Sequence, residues 1–316
     1  MSDPSDASTA CESESKPLSN ASSAPNTGQI WLDGRLVPPG EATISVFDHG
    51  LLYGDGCFEG IRVYNNRIFK LKSHLERMYR SAEAIYLTPR WSIEEIDDAI
   101  RMTVAANDLT DGYVRLVFTR GVGTLGLNPF LCKDHTAFVI AADIALYPDE
   151  LYQNGLPVVV ANRRRVPVEC LNPEIKSLNY LNNILAKVEA IKAGVLEAIM
   201  LNERGEVGEC TGDNIFMIKD GVISTPDTSA GMLHGVTRKF VIEEVAPALG
   251  HTVVERPHGI NEFFEADEVF LTGTAAEVIG VNRIDSTTIG NGAVGPITSS
   301  LTAKFREIVQ ENAPED

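Results

Sequence analysis

Patterns typical of β-strands and of α-helices alternate along nearly the whole chain, and this mixture restricts the fold more than any other feature. Residues 113–120, for example, alternate as a half-buried strand does, so that Tyr113 and Arg115 share one face. Between such strands lie apolar stripes with helical spacing. Because both patterns occur in both halves of the 316 residues, the sequence predicts an α/β or α+β fold.

Two serine–glutamate pairs have the spacing of a capping box, in which each side chain bonds a backbone N–H at the start of a helix. Ser73 with Glu76 predicts one helix start, and Ser92 with Glu95 predicts another. The apolar faces that follow are Leu75, Met78, Tyr79, Ala82 and Tyr86 in the first helix and Ile93, Ile96, Ile100 and Val104 in the second. The helical spacing places each set on one face of its helix.

The second half of the chain carries further helix and hairpin signals. One predicted helix ends at Gly194, a hairpin turns at Asp220–Gly221, and another helix runs from about residue 237 to 249. A last helix is predicted from about Thr298. The apolar face of the helix before Gly194 consists of Leu181, Ile184, Leu185, Val188 and Ile191.

The chain divides into four parts. Residues 1–27 are rich in Ser and Pro and hold almost no large apolar side chain, which predicts a disordered tail. This segment lacks the basic and apolar regions of a secretory signal. We expect a small N-terminal α/β domain over residues 28–145, a connector over 146–154 and a larger C-terminal domain over 155–316.

Charge and cysteine content exclude several classes of protein. The net charge of -17 repels phosphate backbones, so nucleic acid is an unfavourable partner. No stretch reaches the roughly 18–20 apolar residues that a membrane helix needs. The five cysteines are scattered and form no CxxC pair, which argues against a disulfide framework or a zinc ribbon. We expect a cytoplasmic protein that binds neither nucleic acid nor membrane.

A glycine-rich segment imitates a dinucleotide-binding motif. Residues 121–126 read Gly-Val-Gly-Thr-Leu-Gly after a strand, and Asp143 follows near the distance of a ribose-binding acid. Such a motif must open a helix, whereas Asn128-Pro129 is typical of a turn. A flexible loop is the better interpretation, and an NAD-dependent oxidoreductase stays open as an alternative. The six histidines have neither HxxxH nor HExxH spacing, so we expect no metal site.

Lys176 is the first candidate for chemistry. It lies in an apolar-flanked stretch close to a predicted helix, where a partly desolvated amine could form an imine. A surface lysine whose stem lies on apolar neighbours is the ordinary alternative. Composition alone favours that alternative, so the residue itself does not decide between the two.

The stretch around this lysine, residues 175–183 (Ile-Lys-Ser-Leu-Asn-Tyr-Leu-Asn-Asn), resembles the pyridoxal-phosphate lysine motif of class IV aminotransferases. Further blocks resemble the same family in the same order, and together they cover nearly everything from residue 30 to about 309. They are residues 53–62, 74–77, 209–216 and 272–277. The resemblance implies a two-domain fold, with a small N-terminal α/β domain and a larger C-terminal pseudo-barrel α/β domain around pyridoxal 5'-phosphate.

The resemblance also implies a cofactor role for several residues. Lys176 would bind the cofactor covalently and move the proton at the substrate α-carbon. Glu209 would keep the pyridine nitrogen protonated, and Tyr180 would hydrogen-bond the ring oxygen. The phosphate would be held by Arg77, by the Thr274 hydroxyl and by the backbone N–H groups of Val236 and Thr237, which begin a helix.

Two segments suggest the subfamily. Residues 58–62 (Phe-Glu-Gly-Ile-Arg) and 113–115 (Tyr-Val-Arg) resemble branched-chain amino acid aminotransferases. Such an enzyme accepts an aliphatic side chain in one half-reaction and the γ-carboxylate of glutamate in the other, and an aromatic pocket with one arginine, Arg115, can do both. The implied substrate-binding residues are Tyr53, Phe58, Gly60, Arg62, Tyr113, Arg115, Leu127, Thr274 and Ala275.

The expected activity follows from the resemblance. It is transfer of the amino group of L-leucine, L-isoleucine or L-valine to 2-oxoglutarate through pyridoxal phosphate, in branched-chain amino acid metabolism. A D-amino acid or (R)-amine transaminase of the same fold is the nearest alternative, and a catalytically inactive binding protein is a more distant one. A homodimer or higher oligomer is also implied, because the counterparts of Tyr53 and Leu127 in relatives reach the partner's active site.

Overall fold

The structure of the protein is a computed structural model that describes residues 28–144 and 147–312. The predicted disordered tail at 1–27 lies outside the described residues, as does residue 146, where the predicted connector begins. Strands and helices occur on both sides of that connector, so the predicted α/β (α+β) fold class is confirmed.

The first half of the chain forms one antiparallel sheet. Its strands are β1 (Ile30–Leu32), β2 (Arg35–Val37), β3 (Gly56–Tyr64), β4 (Arg67–Ile68), β5 (Gly112–Thr119) and β6 (Thr136–Ala142). Among the described residues these six strands lie in the order β2-β1-β6-β5-β3-β4. The register pairs Gly60 with Arg115 and Arg62 with Tyr113, so alternate residues of neighbouring strands share a face.

Helices α1 (His49–Tyr53), α2 (Leu71–Ala84) and α3 (Ile93–Ala106) accompany this sheet. α3 begins as predicted: the Glu95 N–H donates to Ser92 Oγ at 3.2 Å, and the Ser92 N–H donates to Glu95 Oε2 at 2.8 Å. The apolar faces of α2 and α3 pack on the sheet. Buried members of the predicted faces are Leu75, Met78, Ala82, Ile96, Ile100 and Val104.

α2 begins earlier than the sequence indicates, so the capping box of Ser73 and Glu76 is wrong. Its first residue is Leu71, and its N-cap is Lys70, in a left-handed conformation with φ 50°. The His74 N–H already donates to the Lys70 carbonyl at 3.1 Å, which leaves Ser73 inside the first turn.

Tyr86 was the last residue of the predicted α2 face, and its placement is also wrong. α2 ends at Ala84, and Tyr86 follows in a left-handed turn with φ 57°. Because the helical periodicity has ended, the side chain no longer follows the apolar stripe and is 78% exposed.

A mixed sheet occupies the second half. Its strands are β7 (Leu156–Val160), β8 (Glu197–Leu201), β9 (Val207–Cys210), β10 (Asn214–Lys219), β11 (Val222–Thr225), β12 (Val253–Glu255), β13 (Glu268–Gly273), β14 (Glu277–Ile284) and β15 (Thr287–Thr288). Their order within the described residues is β12-β11-β10-β13-β14-β7-β8-β9, and β15 pairs with β14. The predicted hairpin at Asp220–Gly221 joins β10 and β11.

The helices of this half are α4 (Asp149–Asn154), α5 (Leu181–Lys192), α6 (Val236–Phe240), α7 (Ala246–Ala248), α8 (Ile260–Phe264) and α9 (Pro296–Asn312). A π-helical turn, Val241–Val245, joins α6 to α7, so the helix predicted over 237–249 is one continuous segment. Short 3-10 turns occur at Pro39–Glu41, Pro129–Leu131 and Thr228–Ala230. None of the helices in the described residues combines the length and apolar character needed to cross a membrane.

α5 ends before Gly194 as predicted, with φ 76° at that glycine, but it turns the opposite face to the sheet. Its buried residues are Ala186 and Ala190, which form a small cluster with Ala198 and Met200 of β8. Two small side chains let the helix lie close to the strand, and the large apolar residues are left outside. The exposed residues are Leu181, Ile184, Leu185, Val188 and Ile191.

The two sheets meet through an aromatic cluster. The ring of Phe69, from the first half, lies 5.1 Å from the Phe240 ring and 6.1 Å from the Phe305 ring of the second half. Tyr64 of β3 joins the same cluster. This contact places the face of β3 that carries Tyr64 against the second half of the chain. The division into domains at 28–145 and 155–316 stays a prediction.

Candidate active site

The backbone around Lys176 is fixed against β3. The Phe58 N–H donates to the Lys176 carbonyl at 3.0 Å, and the Leu178 N–H donates to the Gly56 carbonyl at 2.9 Å. The Lys176 N–H donates to Ser81 Oγ of α2 at 3.2 Å. Lys176 therefore lies in the segment just ahead of α5, and hydrogen bonds hold the backbone from which its side chain extends.

The amine of Lys176 lies in an aromatic setting. Its Nζ donates to the Tyr180 hydroxyl at 3.1 Å and stands 4.6 Å from the centroid of the Phe58 ring. The Phe58 and Tyr180 rings meet edge to face at 5.0 Å. Backbone pairing with β3 thus brings the Phe58 ring against an amine and a phenol that are four residues apart in the sequence.

Glu209, on β9, is buried and has several partners. Its Oε1 lies 2.8 Å from Arg165, and its Oε2 accepts from the Asn214 amide at 3.1 Å and from the Leu233 N–H at 3.2 Å. Burial raises the pKa of the Glu209 carboxyl, and the Arg165 charge opposes this rise. A carboxyl with raised proton affinity is a strong acceptor for a ring N–H. The sequence did not indicate Arg165, because it lies outside every motif block.

Arg77, on α2, is held by two carboxylate bonds. Its Nε and one terminal nitrogen donate to the Glu59 carboxylate at 2.7 Å each, and the other terminal nitrogen donates to the His234 carbonyl at 2.8 Å. His74 Nδ1 lies 2.8 Å from the same carboxylate. Burial alone would raise the pKa of Glu59, but Arg77 and His74 hold it well below its ordinary value.

The bond to the His234 carbonyl places Arg77 beside the start of α6. A guanidinium has five N–H groups, and the bonds described above use three of them. His234 comes just before α6, whose first residues are Val236 and Thr237 and whose N-cap, Gly235, supplies no side-chain acceptor. An arginine beside uncapped helical N–H groups can bind a phosphate.

Thr274 and Ala275 lie in the turn between β13 and β14, which we call the 274–276 turn. Thr274 is half-buried and Ala275 is exposed. Tyr152 of α4 donates its hydroxyl proton to the Ala276 carbonyl at 3.1 Å, which fastens the turn to the predicted connector.

Five of the predicted substrate residues share one face of the first sheet. Phe58, Gly60 and Arg62 alternate along β3, and Tyr113 and Arg115 lie opposite on β5. A Cβ on Gly60 would lie 1.8 Å from the Tyr113 hydroxyl, so only glycine leaves room for the phenol. Arg115 donates to that hydroxyl at 2.9 Å, and its guanidinium carbon stands 4.6 Å from the Phe58 ring centroid.

A cavity of about 440 Å³ opens beside this face. Its walls combine an aromatic ring, aliphatic side chains, one arginine and one aspartate. They are Tyr113, Arg115, Ile140, Ala142, Asp143, Ile144 and Ala275. Ile140 and Ala142 lie in no sequence motif, although the alternation of β6 and its pairing with β5 place both on the face of Arg115.

Tyr53 and Leu127 do not line this cavity. The Tyr53 hydroxyl donates to the Leu125 carbonyl at 2.5 Å, which joins α1 to the 121–128 loop. Both side chains are exposed, Leu127 to 78%.

The two other site types weighed from the sequence find no geometric support. The glycine loop leads into the 3-10 turn Pro129–Leu131, so the helix that a dinucleotide motif requires is replaced by a turn. In the part of the chain that the structure describes, no group of three or more His, Cys, Asp or Glu side chains could hold a metal ion.

Comparison with known proteins agrees with this geometry. Residues 56–284 match the family Amino-transferase class IV. A Methanocaldococcus jannaschii protein, provisionally named a branched-chain-amino-acid aminotransferase, is 47% identical over 280 residues, 89% of this chain and 96% of that protein. The D-alanine aminotransferase of Staphylococcus aureus (strain N315) is 35% identical over 286 residues, 90% of this chain and 99% of that protein.

A solved structure has the same fold. The crystal structure of a T.th. branched-chain amino acid aminotransferase with pyridoxamine 5'-phosphate matches with a TM-score of 0.88 at 36% identity, over 92% of this chain and 97% of that chain. The side chains present here fit such a cofactor, since they offer an amine, a phenol, a buried carboxylate and an arginine beside uncapped N–H groups. The chain belongs to the class IV aminotransferase family and is a transaminase whose cofactor is pyridoxal 5'-phosphate.

Proposed function

We propose that this transaminase acts on L-leucine, L-isoleucine and L-valine, with 2-oxoglutarate as amino acceptor, in branched-chain amino acid metabolism. One observation carries the proposal: the Arg115 guanidinium and the Lys176 amine each stand 4.6 Å from the centroid of the same ring, Phe58. The amine proposed to react and the arginine proposed to receive a carboxylate thus lie close to one another, on the same aromatic ring.

This pocket suits two kinds of side chain. An aliphatic group can rest on Ile140, Ala142 and Ile144, where burial of apolar area favours it. The second carboxylate of glutamate can pair with Arg115, whose Nε is buried without a hydrogen-bond partner among the described residues. The same cavity therefore supports both half-reactions of a branched-chain transaminase.

The cofactor roles implied by the sequence motifs are part of the proposal. Lys176 would hold the cofactor covalently and move the proton at the substrate α-carbon, and Tyr180, whose hydroxyl accepts from the Lys176 amine at 3.1 Å, would hydrogen-bond the ring oxygen. Glu209 would accept the ring N–H, and the cofactor, when bound, would supply the electron sink. The phosphate donors are Arg77, Thr274 and the N–H groups of Val236 and Thr237.

A substrate panel tests the proposal. Purified enzyme with bound cofactor is assayed with L-leucine, L-isoleucine, L-valine, D-alanine, D-leucine and an (R)-amine, each with 2-oxoglutarate, and Lys176→Ala serves as the inactive control. We expect the three branched-chain L-amino acids to have the highest kcat/KM. A higher value for D-alanine would overturn the proposal in favour of the activity that the Staphylococcus aureus relative is named for.

Arg115→Met tests the dual use of the pocket, because methionine keeps the packing on Phe58 and removes the charge. Losing a charge-assisted bond of ~1.5–3 kcal/mol should lower kcat/KM for glutamate about 10- to 150-fold. The value for leucine should change far less. Arg101→Met, at an exposed ion pair on α3, is the matched control. Equal losses for glutamate and leucine would show that Arg115 does not receive the second carboxylate.

We also propose a homodimer or higher oligomer in the cytoplasm. Apolar side chains are exposed on α5 and on the segments 44–53 and 122–131, which is more than a monomer normally leaves in water. Tyr53 and Leu127 belong to these segments, and the proposal gives them contacts in the partner's site. Light scattering on the purified enzyme should give at least twice the 34.3 kDa chain mass, and a monomer mass would contradict the proposal.

A further inference from the structure

Glu277 follows the 274–276 turn directly and has an unusual backbone conformation. It begins β14, it is 5% exposed, and its φ is 57°. A residue other than glycine adopts this left-handed backbone conformation at a cost in free energy. The contacts of Glu277 must offset that cost. Strain of this kind next to a binding site points to a role for the side chain.

The carboxylate of Glu277 connects three elements. Its Oε1 accepts the Tyr64 hydroxyl proton at 3.1 Å and lies 3.9 Å from a terminal nitrogen of Arg62, both on β3. Its Oε2 accepts from Arg306 Nε of α9 at 3.1 Å. Burial and the Glu277 charge raise the pKa of Tyr64, so this phenol remains a donor.

Arg62 depends on this carboxylate. Its side chain is almost fully buried, its guanidinium carbon stands 4.6 Å from the Tyr64 ring centroid, and its Nε has no hydrogen-bond partner among the described residues. A buried guanidinium needs an anion to offset the loss of water. Glu277 supplies that anion and leaves the Arg62 Nε able to bind a further group.

The turn is tied to the same network. Tyr152 bonds the Ala276 carbonyl, and the guanidinium carbon of Arg306 lies 4.5 Å from the Tyr152 ring centroid. Arg306 therefore contacts both the carboxylate and the residue that holds the turn. A displacement of Glu277 would move the turn and Arg62 together.

We propose that Glu277 is a positioning residue for the reaction, because its carboxylate holds Arg62 and the 274–276 turn at a set separation across the substrate pocket. Arg62 lies on β3 opposite Tyr113, which lines the cavity wall formed by the first sheet, and Ala275 lines the wall formed by the second. The inference rests on the proposed placement of the substrate between these walls. Glu277 itself touches neither substrate nor cofactor. Its carboxylate sets the separation of the two walls, and this separation must match the size of the ligand.

The test is binding of an unreactive ligand to the cofactor-loaded enzyme, followed through the cofactor's absorption. The ligand is 4-methylpentanoate, which is leucine without its amino group. If the panel shows a preference for alanine, propanoate replaces it, so a wrong substrate class does not decide this test. Glu277→Gln keeps the shape and removes the charge. We expect the Kd of the ligand and the KM of the substrate to rise about 10- to 100-fold, with kcat within about threefold and the cofactor content unchanged.

Three further variants separate positioning from stability. Glu277→Gly removes the backbone strain as well as the carboxylate, and should bind the ligand as weakly as Glu277→Gln. Arg306→Met, on a partly exposed side chain, is milder and should raise Kd in the same direction with Tm near the wild-type value. Glu268→Gln is the matched control: this buried carboxylate caps α9 through the Ile297 and Thr298 N–H groups, so its loss should lower Tm without changing Kd.

The outcomes that would overturn the inference are distinct. A Kd for Glu277→Gln within about twofold of the wild-type value would show that the carboxylate positions nothing. Wild-type binding by Glu277→Gly would show that only the backbone conformation matters. An equal rise in Kd for Glu268→Gln would reduce the effect to general destabilisation. Should Glu277→Gln not fold, the Kd of Arg306→Met decides the question alone.

Discussion

Charged side chains of the active site are buried in paired sets rather than as single ions. Glu59 is fully buried between Arg77 and His74, and Glu209 lies against Arg165. Removing one member of such a set leaves a buried charge without its partner, which costs far more than the pair contributes. Each set also orients one group to which we assign a cofactor contact, Arg77 in one and Glu209 in the other, so the proposal makes stability and cofactor binding depend on the same atoms.

Glu59→Gln should weaken cofactor binding and destabilise the fold. Without the carboxylate, Arg77 loses the anion that orients it, and a buried guanidinium is left unpaired. We expect the free energy of unfolding to fall by about 3 kcal/mol and the cofactor Kd to rise about tenfold or more. Chemical denaturation and equilibrium dialysis measure the two quantities. Glu76→Gln, on the exposed side of α2, is the control, and normal cofactor affinity in Glu59→Gln would contradict the role of the carboxylate.

Asp213 should make stability depend on pH. Burial and the neighbouring Glu197 carboxylate raise the pKa of Asp213 from 3.8 to about 7. The folded protein therefore holds this proton more tightly than the unfolded chain does, so the contribution of Asp213 to stability is complete below about pH 4 and is lost as the pH rises through about 7.

Asp213→Asn resembles the protonated acid and removes this titration. Between pH 5 and pH 7 its free energy of unfolding should rise relative to wild type by on the order of 2 kcal/mol. Denaturation curves across that range measure the difference, with Asp98→Asn on the exposed side of α3 as control. A constant difference across the range would mean that the Asp213 proton does not differ between the two states.

At the scale of single elements, β3 serves two surfaces at once. Cys57, Ile61 and Val63 point into the core under α2, whereas Phe58 and Arg62 point toward the second sheet. The strand is buried on both faces, so its sequence shows no simple alternation of apolar and polar residues. α5 shows the reverse: its apolar stripe is regular but faces away from the sheet.

The exposed face of α5 leads to a prediction about assembly. Replacing Ile184, which is 54% exposed, by Lys places a charge in the middle of that face. If the face is covered in the oligomer, the charge is desolvated there and the assembly should weaken at least about tenfold. Sedimentation across a concentration series measures the dissociation.

Met102→Lys is the matched control, because Met102 lies on the exposed side of α3 and is 50% exposed. It should leave the assembly unchanged. If the assembly of Ile184→Lys dissociates as the wild-type assembly does, α5 is not the interface. The segments 44–53 and 122–131 would then be the remaining candidates.

At the scale of the whole molecule, the candidate active site lies where the two sheets meet. Arg77 comes from α2 beside the first sheet, whereas Glu209 and the start of α6 come from the second. Lys176 lies between them and pairs with β3. A ligand that contacts all of these groups binds only the folded arrangement, so it stabilises the fold by mass action.

Removal of pyridoxal phosphate should therefore lower Tm, by about 5 °C when the cofactor had been near 100 times its Kd. Calorimetry before and after removal measures the shift, and added pyridoxal phosphate should reverse it. Pyridoxal without the phosphate should restore less, because Arg77 and the α6 N–H groups then bind no anion. Equal Tm values with and without cofactor would contradict a site shared by the two sheets.

Local sequence was sufficient wherever a signal involves neighbouring residues. The capping box of Ser92 and Glu95, the helix end near Gly194 and the strand over 113–120 all act within a few residues. The motif around Lys176 and four further blocks in the same order likewise predicted the family, because each block is short and local. A purely local signal can also mislead, since Ser73 and Glu76 have the same spacing but a left-handed Lys70 starts that helix earlier.

Which distant groups meet depends on the folded chain. Arg165 reaches Glu209, and Glu277 reaches Arg62, over separations that no local pattern encodes. The direction of α5 also depends on tertiary packing, because two alanines fit the sheet more closely than the larger side chains of the stripe do. The elements and the family could be predicted from the sequence, since these depend on nearby residues, and the assignment of Lys176 as the cofactor lysine stays a prediction. The pairing of buried charges and the shape of the pocket arise from long-range contacts, which exist only once the two sheets have come together.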